Sequence, residues 1–167
     1  MRFIRECGMQ SDTNHFIEQL NSAFPSAPIS GDAAFTQWGG SYPDAASYEQ
    51  AIDGKTWEQL DRGYILRRND ALGFLSTQQL VQILPIYLLS IVEEGVMSPA
   101  LDAVLVKLTR PRSELGRERF DAFVAALDRP QRTAVATALH LLAEQDPDGS
   151  PGRAALAAID NFWKEYL

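Results

Sequence analysis

The residues of this sequence that could perform acid–base or metal chemistry are two histidines and a few grouped carboxylates. His140 and Glu144 stand one helical turn apart and could share a metal on one helix face. A metal site needs further ligands, however, and none follows at a suitable spacing. The segment Asp146-Pro147-Asp148-Gly149-Ser150 starts like a calcium loop but lacks the glutamate that completes such loops. We therefore predict no metal and no cofactor, a helix-surface pair and an interhelical turn.

Motifs for nucleophilic or phosphate chemistry are also missing from the sequence. It has no Gly-x-Ser-x-Gly elbow, and Trp38-Gly39-Gly40-Ser41 is too short for a phosphate loop and follows no predicted strand. The paired carboxylates Glu93-Glu94 precede Gly95 at a predicted helix end, where we expect them to face water. With no candidate nucleophile or acid–base pair, we predict that the protein is not an enzyme.

One basic cluster lies at a proline-containing connection between two predicted helices. Its members are Lys107, Arg110, Arg112, Arg117 and Arg119. Glu114 and Glu118 lie among them, so one interpretation is a solvated face with local ion pairs. The other interpretation is a docking surface for an acidic or phosphate-bearing ligand.

Aromatic and acidic side chains are concentrated between residues 32 and 49, in a loop rich in Pro and Gly and in the helix predicted after it. Aromatic rings supply buried area at protein interfaces, and carboxylates steer a basic partner and fix its register. Phe35 and Trp38 could instead fold back as a plug over the helical core. The predicted partner-binding residues are Asp32, Phe35, Trp38, Tyr42, Asp44, Tyr48 and Glu49.

The charge balance favours a basic protein as partner. The net charge is −7, and the first 60 residues carry three basic side chains against eight acidic ones. A nucleic-acid partner is disfavoured, because neutralising phosphates requires positive charge. The single cysteine, Cys7, has no partner for an internal disulfide, which fits a reducing cytoplasm.

The elements that must position these residues are predicted to be helices. Ser76 followed by Gln79 is a capping-box pattern, and Leu80–Val92 behind it is apolar almost all round. Such a helix belongs at the centre of a globular protein. Pro85 lies inside it and should bend its axis. We predict a compact all-α domain of about six or seven helices around this proline-bent, buried central helix.

The sequence predicts a boundary near its start, between a flexible segment and a helical domain. Ser11-Asp12-Thr13 looks like the beginning of the first helix, and Pro25 should end it. We therefore expect a flexible N-terminal segment at 1–12 and a single helical domain at 13–167. No apolar run is long enough to span a bilayer, so no membrane association is expected.

Several motifs occur in a fixed order along the chain. They are Trp57-x-x-Leu60, Phe74-Leu75-Ser76, Leu84-Pro85-x-Tyr87-Leu88, Gln131 and Phe162-Trp163. This order resembles a bacterial family of small helical proteins catalogued as a domain of unknown function, over about Phe16 to Trp163. In that family a small or aromatic residue often precedes the Leu-Pro pair, where this chain has Ile83. The resemblance implies a bacterial α-helical domain and brings no activity or catalytic residue with it.

These observations lead to three functional hypotheses. The first is a non-enzymatic protein-binding domain, an immunity or antitoxin-type inhibitor that neutralises a basic bacterial toxin through the acidic, aromatic N-terminal surface. The second is a self-associating structural or regulatory module, which would form a homo-oligomer. The third is a binder of a small ligand or peptide in a cavity beside Pro85.

Overall fold

The protein is described by a computed structural model, which covers the backbone of residues 2–30 and 45–167 and the side chains of residues 11–30 and 45–167. Every regular element in these ranges is helical, which confirms the prediction of an all-α fold. The helices are α1 (Arg2–Ala23), α2 (Ala45–Ile52), α3 (Arg62–Arg67), α4 (Thr77–Glu93), α5 (Leu101–Leu108), α6 (Glu114–Ala126), α7 (Arg129–Gln145) and α8 (Ser150–Asn161). Short 3-10 turns lie at Trp57–Gln59, Asn69–Gly73, Gly95–Met97 and Trp163–Tyr166.

The predicted number of six or seven helices is too low, since the described ranges contain eight α-helices. Three of the eight, α2, α3 and α5, are short, with eight residues or fewer. The backbone of Leu60 is extended between the 3-10 turn Trp57–Gln59 and α3. α3 then begins afresh, because the Asp61 carboxylate accepts a hydrogen bond from the backbone N–H of Tyr64 at 2.9 Å.

The first helix begins earlier than predicted. α1 starts at Arg2 and passes through Ser11-Asp12-Thr13, which therefore do not cap it. Polar residues of this kind cost a helix interior only about 0.5 kcal/mol each, so their presence does not force a start. The helix ends at Ala23, just before Pro25, as predicted.

The central helix is confirmed with its predicted cap. The Ser76 hydroxyl accepts from the backbone N–H of Gln79 at 3.2 Å, and the Gln79 side chain accepts from the backbone N–H of Ser76 at 3.3 Å. α4 behind this capping box is buried along most of its length and packs against α1, α5, α6 and α7. It is continuous through Pro85, and the bend at that residue stays a prediction.

An aromatic cluster at the C-terminus contacts the end of α5 and the middle of α6. Trp163 is fully buried, and its indole N–H donates to the carbonyl of Leu108, the last residue of α5, at 2.7 Å. The rings of Phe120 and Phe162 meet edge to face with centroids 5.0 Å apart, and this contact joins α6 to the same cluster. The end of α5 and the middle of α6 are therefore held rigidly against the core. None of the helices in the described ranges is long and apolar enough to cross a bilayer.

Candidate anion-binding site

α5 and α6 meet at a short connection that contains Pro111. α5 ends where the Thr109 hydroxyl donates to the carbonyl of Leu105 at 2.7 Å, and α6 begins where the Ser113 hydroxyl accepts from the backbone N–H of Gly116 at 3.3 Å. Only five residues separate the two helices, so the chain turns sharply. We refer to residues 102–123, which include this turn, as the α5–α6 corner.

Gly116 allows the corner to close tightly. A Cβ atom at this position would stand 2.7 Å from the Cβ of Pro111 and 2.7 Å from the hydroxyl oxygen of Ser113. These separations are far below van der Waals contact, so a larger residue would push the first turn of α6 away from the connection. The glycine therefore keeps α5 and α6 close enough to share a cleft.

An apolar cleft of about 330 Å³ lies on one side of Pro111. Its walls are supplied by the 3-10 turn Asn69–Gly73, by α5 and by α6. The apolar lining consists of Leu72, Ala103, Val106, Pro111, Phe120 and Phe123, and the cations Lys107 and Arg119 complete it. The cleft therefore combines aromatic and aliphatic walls with two positively charged side chains.

Lys107 is the unusual residue of the apolar cleft. Its side chain is half-buried, with Nζ 5.9 Å from the centroid of the Phe123 ring. No carboxylate of the described residues lies within 4.0 Å of this ammonium group. Burial lowers the pKa of Lys107 below its usual 10.5, and repulsion by Arg119 lowers it further. A partly desolvated cation without a counter-charge is costly to the fold, and a bound anion would relieve that cost.

A second, more polar cavity of about 640 Å³, called the polar cavity below, also borders Pro111, and its lining includes Arg110, Arg112 and Arg117. Arg110 forms an ion pair with Asp121 at 3.1 Å, but its Nε is buried with no hydrogen-bond partner among the described residues. Arg112 and Arg117 are exposed. Neither has a carboxylate within 4.0 Å in the part of the chain that the structure describes.

These contacts bear on the two interpretations of the basic cluster. Local ion pairs with Glu114 and Glu118 do not form at Arg112 or Arg117. Lys107, Arg112 and Arg117 therefore present charge that no described carboxylate neutralises. Arg110 pairs with Asp121 and the exposed Arg112 and Arg117 face solvent, as the first interpretation predicts, whereas the half-buried Lys107 fits the second.

Most of the predicted partner-binding surface lies outside the described residues. This applies to Asp32, Phe35, Trp38, Tyr42 and Asp44, and so to the alternative of an aromatic plug. Tyr48 and Glu49 lie on α2. The side chain of Tyr48 is fully buried, with its ring centroid 6.3 Å from that of Tyr64, whereas Glu49 is half-buried. The structure thus places Tyr48 in the core, where its ring offers no surface to a partner.

The two segments with grouped metal-ligand residue types form a surface pair and a helix cap. His140 and Glu144 form an exposed pair on α7, with Nε2 and Oε1 3.4 Å apart, which agrees with the predicted helix-surface pair. Asp146 caps the turn before α8, because its carboxylate accepts from the backbone N–H of Gly152 at 3.5 Å. In the described ranges, no three His, Cys, Asp or Glu side chains are grouped so that they could hold a metal ion.

The sequence predicted the cations of the corner but not the apolar cleft beside them. Phe120 and Phe123 have the spacing of the buried side of a helix, and nothing in the sequence connects the turn Asn69–Gly73 with α5. The available signal was the position of Lys107, which lies three residues after the buried Val104 and so on the edge of the apolar face of α5.

No protein-family model matches the chain, and no match was found among curated proteins or solved structures. The resemblance to a bacterial family of helical proteins therefore stays a prediction.

Proposed function

We propose that this protein is a non-catalytic binding protein whose α5–α6 corner binds an acidic group of its partner or ligand. The observation that carries the proposal is the concentration of five cations between residues 107 and 119 of a chain with net charge −7. Three of them, Lys107, Arg112 and Arg117, have no carboxylate of the described residues within 4.0 Å. Opposite charge elsewhere on the molecule makes the corner the point to which an anion is steered.

Two further features support this proposal. The buried Nε of Arg110, unpaired among the described residues, is a donor that an anion in the polar cavity could satisfy. Val106, at 75% exposure, stands on the wall of the apolar cleft and would be covered by an occupant of the corner. Apolar contact and charge together give affinity and orientation at one place.

A pull-down from native lysate with paired variants tests the proposal. The corner variant Arg112→Glu/Arg117→Glu is compared with Arg129→Glu/Arg153→Glu, which changes the net charge equally at exposed positions on α7 and α8. We expect the wild type and the control to retain an acidic molecule that high salt releases and that the corner variant does not bind. Equal retention by the corner variant would contradict the proposal.

The immunity or antitoxin-type inhibitor of a basic toxin stands as a second proposal. Its support is the excess of acidic side chains in the first 60 residues, eight against three basic ones, with Glu49 accessible in part on α2. It also assumes a bacterial origin and a cytoplasmic location, both of which are proposals. In the same pull-down, Trp38→Ala and Asp44→Lys should release a basic protein that the corner variant retains; no effect of these substitutions would argue against this surface.

Two alternatives remain as proposals with their own tests. Self-association through exposed helix faces predicts a molecular mass in solution that rises with protein concentration. A ligand cavity at a bend in α4 predicts that Pro85→Ala changes the binding of a metabolite, although Pro85 itself is buried in the core.

A further inference from the structure

The apolar cleft has a more specific composition than the corner as a whole. Its walls are mainly aromatic and aliphatic, and the charged groups among the described residues that line it are the two cations Lys107 and Arg119. Lys107 contributes one compact ammonium group with three donors, set 5.9 Å from the face of Phe123. This arrangement suits a ligand that has one small anionic head and an apolar body.

The size of the cleft sets how much of that body it can hold. A volume of about 330 Å³ corresponds to roughly 11 groups of the size of a water molecule, at ~30 Å³ each. The side chain of an aspartate or glutamate would fill less than half of this space. A fatty acid with a long chain would extend well beyond it.

The polar cavity and the apolar cleft differ in the hydrogen-bond donors that they offer. Arginine guanidinium groups, which pair with phosphate through two parallel hydrogen bonds, line the polar cavity. The apolar cleft is lined mainly by apolar side chains, so a phosphate dianion would lose more hydration there than a carboxylate, because the cost of desolvation rises steeply with charge. A carboxylate carries a single charge and fits one ammonium group.

We infer that the apolar cleft binds a small apolar carboxylate, an acyl or aryl acid of about ten non-hydrogen atoms. Its carboxylate accepts hydrogen bonds from the Lys107 ammonium group, and its apolar body lies against the exposed side chain of Val106. The inference rests on the proposed function and adds the class of ligand to it. The neutralised ammonium group and the buried apolar surface then both favour binding.

Calorimetric titration with three probes of equal chain length tests the inference. The probes are octanoate, 1-octanol and octylammonium, and the proteins are the wild type, Lys107→Met and Lys164→Met. Methionine preserves most of the length of the lysine stem and removes the charge. Lys164 is 77% exposed in the C-terminal turn, so Lys164→Met removes the same charge away from the corner.

We expect the wild type and Lys164→Met to bind octanoate at least ~10-fold more tightly than 1-octanol, the ratio typical of a charge-assisted hydrogen bond. Lys107→Met should bind both probes with equal, weak affinity, and octylammonium should bind worst to the wild type. A circular dichroism melt confirms that each variant is folded. Ala103→Phe, which fills the cleft and keeps Lys107, should bind none of the probes.

Three results would overturn the inference: no binding of octanoate, equal binding of octanoate and 1-octanol by the wild type, or unchanged octanoate affinity in Lys107→Met. An acidic peptide or inorganic phosphate that binds the corner while octanoate does not would overturn the ligand class and leave the proposed function in place. If none of the anions binds the corner, both proposals fail.

Discussion

The positive charge of Lys107 opposes folding and favours the binding of an anion. Its ammonium group is half-buried against Phe123 and has no described carboxylate within 4.0 Å, so its charge reduces the stability of the unoccupied protein. Residues that serve only the fold are rarely arranged in this way, whereas binding sites often contain such unfavourable groups. The same charge is useful once an anion is bound.

We expect Lys107→Met to have a melting temperature equal to or higher than that of the wild type. The substitution removes a partly desolvated charge and keeps the apolar stem on Phe123, while the lost cation–π contact is worth only about 0.5–1 kcal/mol. Differential scanning calorimetry without ligand measures the effect. A clear loss of stability would mean that Lys107 stabilises the fold. Lys164→Met is the control, for which no change in melting temperature is expected.

The stability of the wild type relative to Lys107→Met should also depend on pH. The pKa of Lys107 is lowered in the folded protein by burial and by Arg119, against about 10.5 in the unfolded chain. Between these two values the unfolded chain binds more protons, so the free energy of unfolding of the wild type rises with pH. At pH values below the lowered pKa the cost of burying the Lys107 charge is fully present. This cost disappears as the pH rises toward 10.5. Denaturant melts of both proteins over alkaline pH measure the difference, and a constant difference would contradict it.

The sequence could show the five cations but not which of them would be partly buried. Lys107 and Arg112 look alike in the sequence, since each stands near a proline at a helix boundary. The difference arises because α6 and the turn Asn69–Gly73 pack beside α5, and these contacts join residues far apart in the chain. Tyr48 illustrates the same limit, because an aromatic residue among acids can belong either to a surface or to the core.

Helix caps were the most reliable sequence signal. The predicted box of Ser76 and Gln79 is present, and Asp128 forms a second one with Gln131 at the start of α7. Start signals failed where the helix simply continued through them, as at Ser11-Asp12-Thr13 in α1. A cap pattern shows that a helix can begin at a residue, but only packing decides whether it does.

We expect Asp128→Ala to lower the free energy of unfolding by about 1 kcal/mol, the usual value of an N-cap. The Asp128 carboxylate accepts from the backbone N–H of Gln131 at 2.9 Å, and α7 packs against α1, α4 and α8. Urea melts measure the change. Asp160→Ala is the matched control, because Asp160 is 73% exposed and its ion pair among the described residues, with Lys164, is long at 3.9 Å. Equal effects of the two substitutions would contradict the assignment.

Trp163 connects the C-terminal turn to the corner. Its indole N–H donates to the Leu108 carbonyl at 2.7 Å, and the indole N–H of Trp57 donates to the carbonyl of Phe24, which is not part of the corner, at 3.0 Å. We expect Trp163→Phe and Trp57→Phe each to cost about 1–3 kcal/mol, because each leaves a buried carbonyl without its donor. Only Trp163→Phe should weaken anion binding, since only Leu108 ends α5. Octanoate titration separates the two variants, and an equal loss of affinity would show that general destabilisation is responsible.

The molecule as a whole is acidic with a basic corner. Residues 107–119 contain five cations, whereas the complete chain has net charge −7. The α5–α6 corner is attached to the central helix through α5 and α6, and the C-terminal aromatic cluster secures both. A rigid base and a local reversal of charge are what a binding site for an anion requires.

The most direct test of the anion-binding corner is an NMR titration of the ¹⁵N-labelled protein with inorganic phosphate at low ionic strength. We expect saturable shifts of the backbone amides concentrated in residues 105–120, suppressed by Arg112→Glu/Arg117→Glu and retained by Arg129→Glu/Arg153→Glu. Added sodium chloride should weaken them, because the interaction is electrostatic. Shifts spread evenly over the protein, or centred on α7 and α8, would show that the corner is not an anion-binding site.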